Sequence, residues 1–385
     1  MKRIIGMVLA ALALCLCLVI PAAAAADARS AGLKCGADGS FKIIQVTDTQ
    51  DFLLSCALTQ DFLYDLAKTE KPDLFVLTGD NATSGGDKYF PKFIAKPLVK
   101  AGVENLMRAF DRIYKDFGIP MTMVYGNHDN ECGQALVSRA EQFAMYAAHK
   151  CFAGYYIPEA DEGTQDQEGQ HYGTHNLIVR NSAGTADAFN LWMFDSGSYN
   201  PEGGYSWVQT PQIKWFKETN EALGKLPSLA FQHIIVKEIE GQLTAEKKLP
   251  AGVKGELRES PCPGKGNDGQ YDALCDGGVM ALFVGHDHVN TYEFELPGTD
   301  LVNSPCTGFG SYGDIDLRGA RVITLNQNKP NAYESKIVTF QAFYPQDTLH
   351  SARLGMYQSM STAATLLDWL SFKPLLWLLG LFNRA

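Results

Sequence analysis

The chain holds eight histidines, and four of them stand in short polar stretches that also carry carboxylates. His128 lies between Asn127 and Asp129, His286 and His288 flank Asp287, and His233, Asp48 and Asp80 each close an apolar run. Imidazole mixed with carboxylate and amide oxygen suits first-row divalent metals or iron, whereas calcium prefers oxygen alone. A carboxylate such as Asp80 has two oxygens and can bridge two ions. Two ions about 3.5–4 Å apart can clamp a phosphoryl oxygen and acidify a water for in-line attack. Asn127 beside His128 sets an amide ligand next to an imidazole left free to serve the reacting group. Taken singly, these residues have blander readings. Asp48 and Asp80 are ordinary strand-end and loop residues, and His233 by itself reads as a satisfied core histidine. Two histidines at i and i+2 beside a strand end seldom pack as core, and the set together points to a metal site. His149, His171, His175 and His350 fall outside these stretches and read as structural or surface residues.

The elements that must position this set are legible as short apolar, β-branched runs, each ending abruptly in polar residues. Residues 41–47, 74–78, 121–125, 229–232 and 279–284 have this form and read as buried strands. Between them, Leu58, Phe62, Leu63 and Leu66, and again Leu106, Phe110 and Ile113, recur at helical spacing. Thr210-Pro211 reads as an N-cap followed by a first-turn proline. Strands alternating with helices argue an α/β domain, whose ligands sit beyond the carboxyl ends of the strands. The polar stretches lie at those ends. Residues 158–174, rich in Gly, Gln, Glu and Asp, read as an exposed loop or partial lid.

In order along the chain, VTDTQ (46–50), LTGDN (77–81), YGNHD (125–129), FQHI (231–234) and FVGHDH (283–288) resemble the motifs of the calcineurin-like metallophosphoesterases. DSGSYN (195–200), GYSWVQTPQIKWF (204–216), GFGSYG (308–313) and RGARVITL (318–325) resemble the purple-acid-phosphatase-like branch of that family. The resemblance covers roughly residues 41–343 and implies two packed mixed β-sheets flanked by helices, a four-layer α/β sandwich. It also implies two metal ions (manganese, iron or zinc). One would be held by Asp48, Asp80 and His288, the other by Asp80, Asn127, His233 and His286. His128 would protonate the leaving oxygen, Asp129 would orient His128 through its other ring nitrogen, and Asp287 would shape its turn rather than ligate. The implied reaction is hydrolysis of a phosphate mono- or diester by a hydroxide held on the metal pair. Two positions depart from the pattern. Gln50 stands where the family's first motif carries histidine, offering the first metal a weaker, uncharged ligand. Thr83 stands where the coloured phosphatases carry a tyrosine ligand, so no tyrosinate-to-iron colour is expected. The rival reading is a non-catalytic, metal-containing binding protein with a degraded first site.

A formal charge of −10 argues against a basic nucleic-acid-binding surface. Lys2 and Arg3, the apolar run 4–20 and the alanine string to Ala26 read as a signal peptide over residues 1–26. The protein is therefore expected to be exported: secreted, periplasmic or on the cell surface. The phosphoesterase domain is expected over 35–345. A greasy tail over 346–385, interrupted at Lys373-Pro374, falls short of the ~20 apolar residues a spanning helix needs. It reads as interfacial or surface-docked helices that contact a membrane surface, with partner binding as the alternative. Cys262 and Cys275 flank a Gly-rich loop and fit either a closing disulfide or two free thiols. The Asn81-Ala82-Thr83 sequon reads as a chance match because it adjoins Asp80.

Overall fold

The computed structural model describes residues 32–50, 57–82, 92–129, 137–161, 172–246, 249–250, 252–345 and 347–359. The expected leader over 1–26, Thr83, His171 and the apolar part of the tail from 360 onward lie outside the described residues. Twelve strands are described: β1 (Ser40–Val46), β2 (Leu74–Thr78), β3 (Met121–Val124), β4 (His175–Arg180), β5 (Asp187–Met193), β6 (Ser228–Phe231), β7 (Val253–Lys254), β8 (Val279–Val284), β9 (Glu293–Phe294), β10 (Asp300–Asn303), β11 (Gly319–Asn326) and β12 (Tyr333–Thr339). The helices are α1 (Ala57–Glu70), α2 (Lys92–Phe117), α3 (Arg139–Ala147), α4 (Pro158–Asp161), α5 (Thr210–Ala222), α6 (Gln270–Asp276), α7 (Phe340–Phe343) and α8 (Thr348–Ser359).

The strands form two mixed sheets, ordered β12-β11-β1-β2-β3 and β4-β5-β6-β8-β10-β9-β7. In the first, β1, β2 and β3 are parallel and β11 runs antiparallel to β1. In the second, β5, β6, β8 and β10 are parallel. The five strands expected from the sequence are all present, two of them with the expected bounds.

Their uninterrupted apolar character has a direct cause: both faces of these strands are covered, so nothing in them alternates with water. In β1, Ile43 points into an inter-sheet core with Leu74, Val76, Leu191, Phe231 and Phe283, while Ile44 points out. Ile44, Phe75, Leu77 and Met123 face α1 and α2 through Leu58, Phe62, Leu66, Leu106 and Phe110. On the far side, Trp192, Ala230 and Leu282 face α5 and α6 through Ile213, Phe216 and Leu274. The result is the expected sandwich of helices, sheet, sheet and helices.

Local chemistry sets the boundaries. α2 stops at Gly118, whose left-handed φ of 74° lets its N–H reach back to Tyr114 O at 2.8 Å. α3 opens on a reciprocal Ser138–Glu141 capping box. The expected N-cap at Thr210 is displaced by one residue to Gln209. The Thr210 N–H and hydroxyl both donate to Asp268 Oδ2, at 2.8 and 2.6 Å, while the Gln209 N–H donates to Gln212 Oε1.

The start of the expected tail belongs to the domain. Leu354 and Tyr357 of α8 are buried with α1, and Arg353 donates to Asp61 Oδ2 at 2.8 Å. Among the described residues, no helix is long and apolar enough to cross a membrane. The Cys262 and Cys275 thiols are both free.

Candidate metal centre

Asp48, Asp80, Asn127, His233, His286 and His288 converge from the ends of β1, β2, β3, β6 and β8. Each strand turns sharply to aim its side chain into the same space. Asp48, Asp80 and His286 adopt left-handed φ values of 53°, 51° and 72°, and Gln50 one of 44°. Such strain in non-glycine residues persists only where the surroundings enforce it, and it concentrates at functional sites. The glycines before the ligands are needed for space. A Cβ on Gly126 would collide with Asp80 Oδ1 and stand 2.8 Å from His233 Nε2. On Gly285 it would collide with Thr47 Oγ1 and stand 2.7 Å from Asp48 Oδ2.

The first ligand set is compact: one donor atom each from Asp48, Asp80 and His288 lie within 4.8 Å of one another, all buried. His288 Nδ1 donates to Tyr312 O at 2.8 Å, and its ring lies flat against Tyr312 at 4.1 Å. Nε2 is thereby left as the ring nitrogen that could ligate, 3.1 Å from Asp48 Oδ1. The second set shares Asp80. His233 Nδ1 donates to Thr78 O at 2.9 Å, and its Nε2 faces Asn127 Oδ1 at 3.1 Å and Asp80 Oδ1 at 3.4 Å. His286 sits edge-on beside His233, with ring centres 5.0 Å apart.

This donor set fits cations. A neutral His233 would point a lone pair at two oxygens, an arrangement favourable only with a positive charge between them. Asp48 Oδ1 and His286 Nε2 are buried and receive no hydrogen bond, a costly condition for polar atoms unless an ion takes them up. The electrostatics agree. Burial works against charge on His233, yet the Asp80 and Asp48 carboxylates overcome it and lift its pKa to about 10. Burial and then the neighbouring His233 press His286 down to about 3, keeping it a neutral ligand. Burial also opposes charge on Asp80, but His233 and His128 hold its carboxyl far below the usual range.

Two expected roles need adjustment. Asp129 does not orient His128. Its Oδ1 accepts from the Asn81 and Ala82 N–H groups at 2.8 and 2.9 Å, and its Oδ2 from the Gly126 N–H at 2.8 Å. The chain reverses over 126–129, so the buried carboxyl turns toward the neighbouring loop instead of the adjacent ring. Burial and the Asp80 charge raise it to about 7. Gln50 is in the site, but its amide Nε2 donates to Asp80 Oδ2 at 2.9 Å. Asp287 shapes its turn as expected: its Oδ1 accepts from the Cys262 N–H, and its carboxyl is pushed well up by burial and Glu259.

His128 alone of the four motif histidines is open to solvent, with its side chain 34% exposed. Its N–H donates to Asp80 Oδ1 at 2.7 Å, and its ring stands 3.9 Å from Asp80 Oδ2. Asn81 is buried, with its amide bonded to Val124 O, so the sequon is no glycan acceptor in this fold. Of the histidines read as structural or surface residues, His175 is buried, and His149 and His350 pair with Asp111 and Asp347. Sequence reasoning gave Tyr205, Ser196 and Ser198 no role, although all three lie against the second ligand set or the residues beside it. The DSGSYN and GYSW stretches were the only signal.

A two-sheet α/β sandwich that gathers buried Asp48, Asp80 and His288 donors at its strand ends defines a metallophosphoesterase-like fold with a candidate metal site. The chain belongs to the calcineurin-like phosphoesterase family, whose profile matches residues 41–290. It is 30% identical over 345 residues, 79% of this chain and 81% of the relative, to an Arabidopsis thaliana protein named "Probable inactive purple acid phosphatase 29". It is 26% identical to the phosphatase DCR2 of Saccharomyces cerevisiae over 78% of this chain and 54% of that one. These relatives put it in the purple-acid-phosphatase-like branch. Among solved structures, a dimetal phosphatase from Danio rerio aligns with 78% of this chain and 98% of its own at 13% identity and a TM-score of 0.45.

Proposed function

We propose that the protein is an exported, metal-dependent phosphoesterase hydrolysing a phosphate mono- or diester at this centre. The observation that carries the reading is Asp80, a buried carboxylate shared by two ligand sets, whose field together with that of Asp48 draws positive charge strongly enough to lift the pKa of the buried His233 to about 10. Two ions held by Asp48, Asp80 and His288 and by Asp80, Asn127, His233 and His286 would supply Lewis acidity toward the phosphoryl oxygens and a lowered pKa for water. The protein's own part is positioning and proton transfer. His233 and His288 spend Nδ1 on main-chain carbonyls, which fixes their rings and tautomers. His128, exposed and 3.9 Å from Asp80, delivers a proton from its ring to the ester oxygen as the phosphorus–oxygen bond breaks.

One observation favours the second reading, a non-catalytic metal-containing binding protein: the Gln50 amide occupies an Asp80 oxygen. The test is hydrolysis of chromogenic phosphate mono- and diesters by the mature protein with manganese, zinc or iron. Turnover that chelator abolishes and Asp80→Asn removes, with the fold intact, supports the enzyme. No turnover with any metal, at one ion or fewer per chain, refutes it. His128→Gln should keep both ions and lose roughly 10²–10⁴ in turnover.

A further inference from the structure

The segment after β5 forms a hairpin that touches all three unshared ligands of the second set or their immediate neighbours. Asn200 N donates to Gly204 O at 2.9 Å and Ser206 N to Ser198 O at 3.1 Å, closing the turn. Its base is anchored by Asp195, which forms a buried ion pair with Arg139 at 3.0 Å and accepts from Gly197 N. From that base, Ser196 Oγ accepts from Ile234 N, directly after His233, at 3.0 Å. Ser198 Oγ donates to Asn127 O at 3.4 Å. Asn127 Nδ2 donates to Tyr199 OH at 3.1 Å, so the amide's other end, Oδ1, faces His233. Tyr199 stacks on Tyr205 with ring centres 5.6 Å apart, and Tyr205 stands perpendicular to the His286 ring at 4.3 Å.

We propose that this hairpin is a positioning element for the second cation, with Tyr199 holding the Asn127 amide in its ligating orientation and Tyr205 wedging the His286 ring. The inference rests on the two-cation reading above. Asn127 has two chemically opposite ends, and only the oxygen can ligate. A hydroxyl that takes the N–H₂ end selects the productive rotamer before the ion arrives. His286 has no hydrogen bond to its Nε2. Packing by Tyr205 therefore supplies restraint that hydrogen bonding does not. Groups that orient metal ligands in this way commonly contribute 10–100-fold in metal affinity.

The experiment is manganese binding by the full mature chain, with the two ions resolved by chelator competition and counted by elemental analysis. Tyr199→Phe and Tyr205→Ala should each weaken the second ion roughly 10-fold while the first is unchanged. Tyr205→Phe, which keeps the ring, should restore parental affinity, and thermal melting of the apo variants reports whether the fold is intact. Parental affinity for both ions in Tyr199→Phe and Tyr205→Ala overturns the inference and leaves the two-cation reading standing. Equal weakening of both ions, or failure of Tyr205→Phe to rescue, also overturns it. A parental protein that takes up fewer than two ions refutes the two-cation reading, and the inference with it.

Discussion

Removing Asp129 separates two accounts of that residue. Its carboxyl receives the main-chain N–H groups of Asn81, Ala82 and Gly126 at 2.8–2.9 Å, all in buried surroundings. Those three amides belong to the loops that present Asp80 and Asn127. In Asp129→Ala they lose their acceptor where water does not readily replace it. Each such amide costs about 1–3 kcal/mol, so a loss of about 3 kcal/mol is the low end. With an unfolding entropy of roughly 2.1 cal/mol/K per residue over the 292 described residues, that is a fall of roughly 5 °C in the melting temperature. Because the loops carry ligands of both sets, metal content per chain should fall with it.

The assay is calorimetric or fluorescence melting of parent and variant, apo and manganese-loaded, beside elemental analysis. A clamp predicts lower melting and lower metal content together. A residue acting through the His128 ring predicts unchanged melting and metal, with only turnover and its pH profile altered. The second result would refute the clamp.

Gly126→Ala should abolish uptake of both ions, since the new methyl collides with Asp80 and crowds His233; parental metal content in a folded variant would show that the loop yields. Gln50→His should tighten the first ion roughly tenfold or more, because it frees an Asp80 oxygen and adds an imidazole, and histidine tolerates the left-handed backbone at φ 44°; an unchanged affinity in metal titration would count against that site. His175 is buried and its pKa is lowered to about 4, so the unfolded chain takes up a proton near pH 6.5 while the folded one does not. Its contribution is complete above pH 6.5 and is lost as the pH falls toward 4, by about 3 kcal/mol. His175→Gln should flatten that slope relative to the parent in denaturant titrations, and parallel curves would exclude His175 as its source.

The strands and the ligand set were readable because both have local signatures. Burial on two faces writes an unbroken apolar run, and a ligand at a strand end writes a polar stop after it. The glycines of GD, GN and GH carry the crowding around Asp80, His233 and Asp48 in plain sight. What spacing could not convey is direction. Asp129 adjoins His128 in sequence, yet the reversal over 126–129 sends its carboxyl to Asn81 and Ala82. The hairpin after β5 was equally opaque: nothing local marks Tyr199 and Tyr205, whose contacts to Asn127 and His286 span 72 and 81 residues of chain. The start of α5 slipped by one residue because Asp268, far along the sequence, claims the Thr210 hydroxyl.

The two ligand sets are built with unequal care, and this bears on whether Gln50 silences the centre. Every unshared ligand of the second set has its own restraint: Thr78 O for His233, Tyr199 for Asn127, Tyr205 for His286. In the first set, His288 is held by Tyr312, and Asp48 Oδ2 by Thr47 Oγ1 at 2.7 Å and His286 N at 3.1 Å. Gln50 is a departure there, and it is a donor pointed at the shared carboxylate rather than a void. Asp48 Oδ1 faces only His288 Nε2, at 3.1 Å, and lies close to a second buried carboxylate, so two negative groups share one imidazole there. A buried charge without full pairing costs more than the about 1–3 kcal/mol of an unmet neutral acceptor. A neighbouring cation offsets that cost, whereas a Gln50 amide bonded to Asp80 does nothing for Asp48. The surroundings of Asp48 therefore retain a demand for positive charge at the first position despite Gln50.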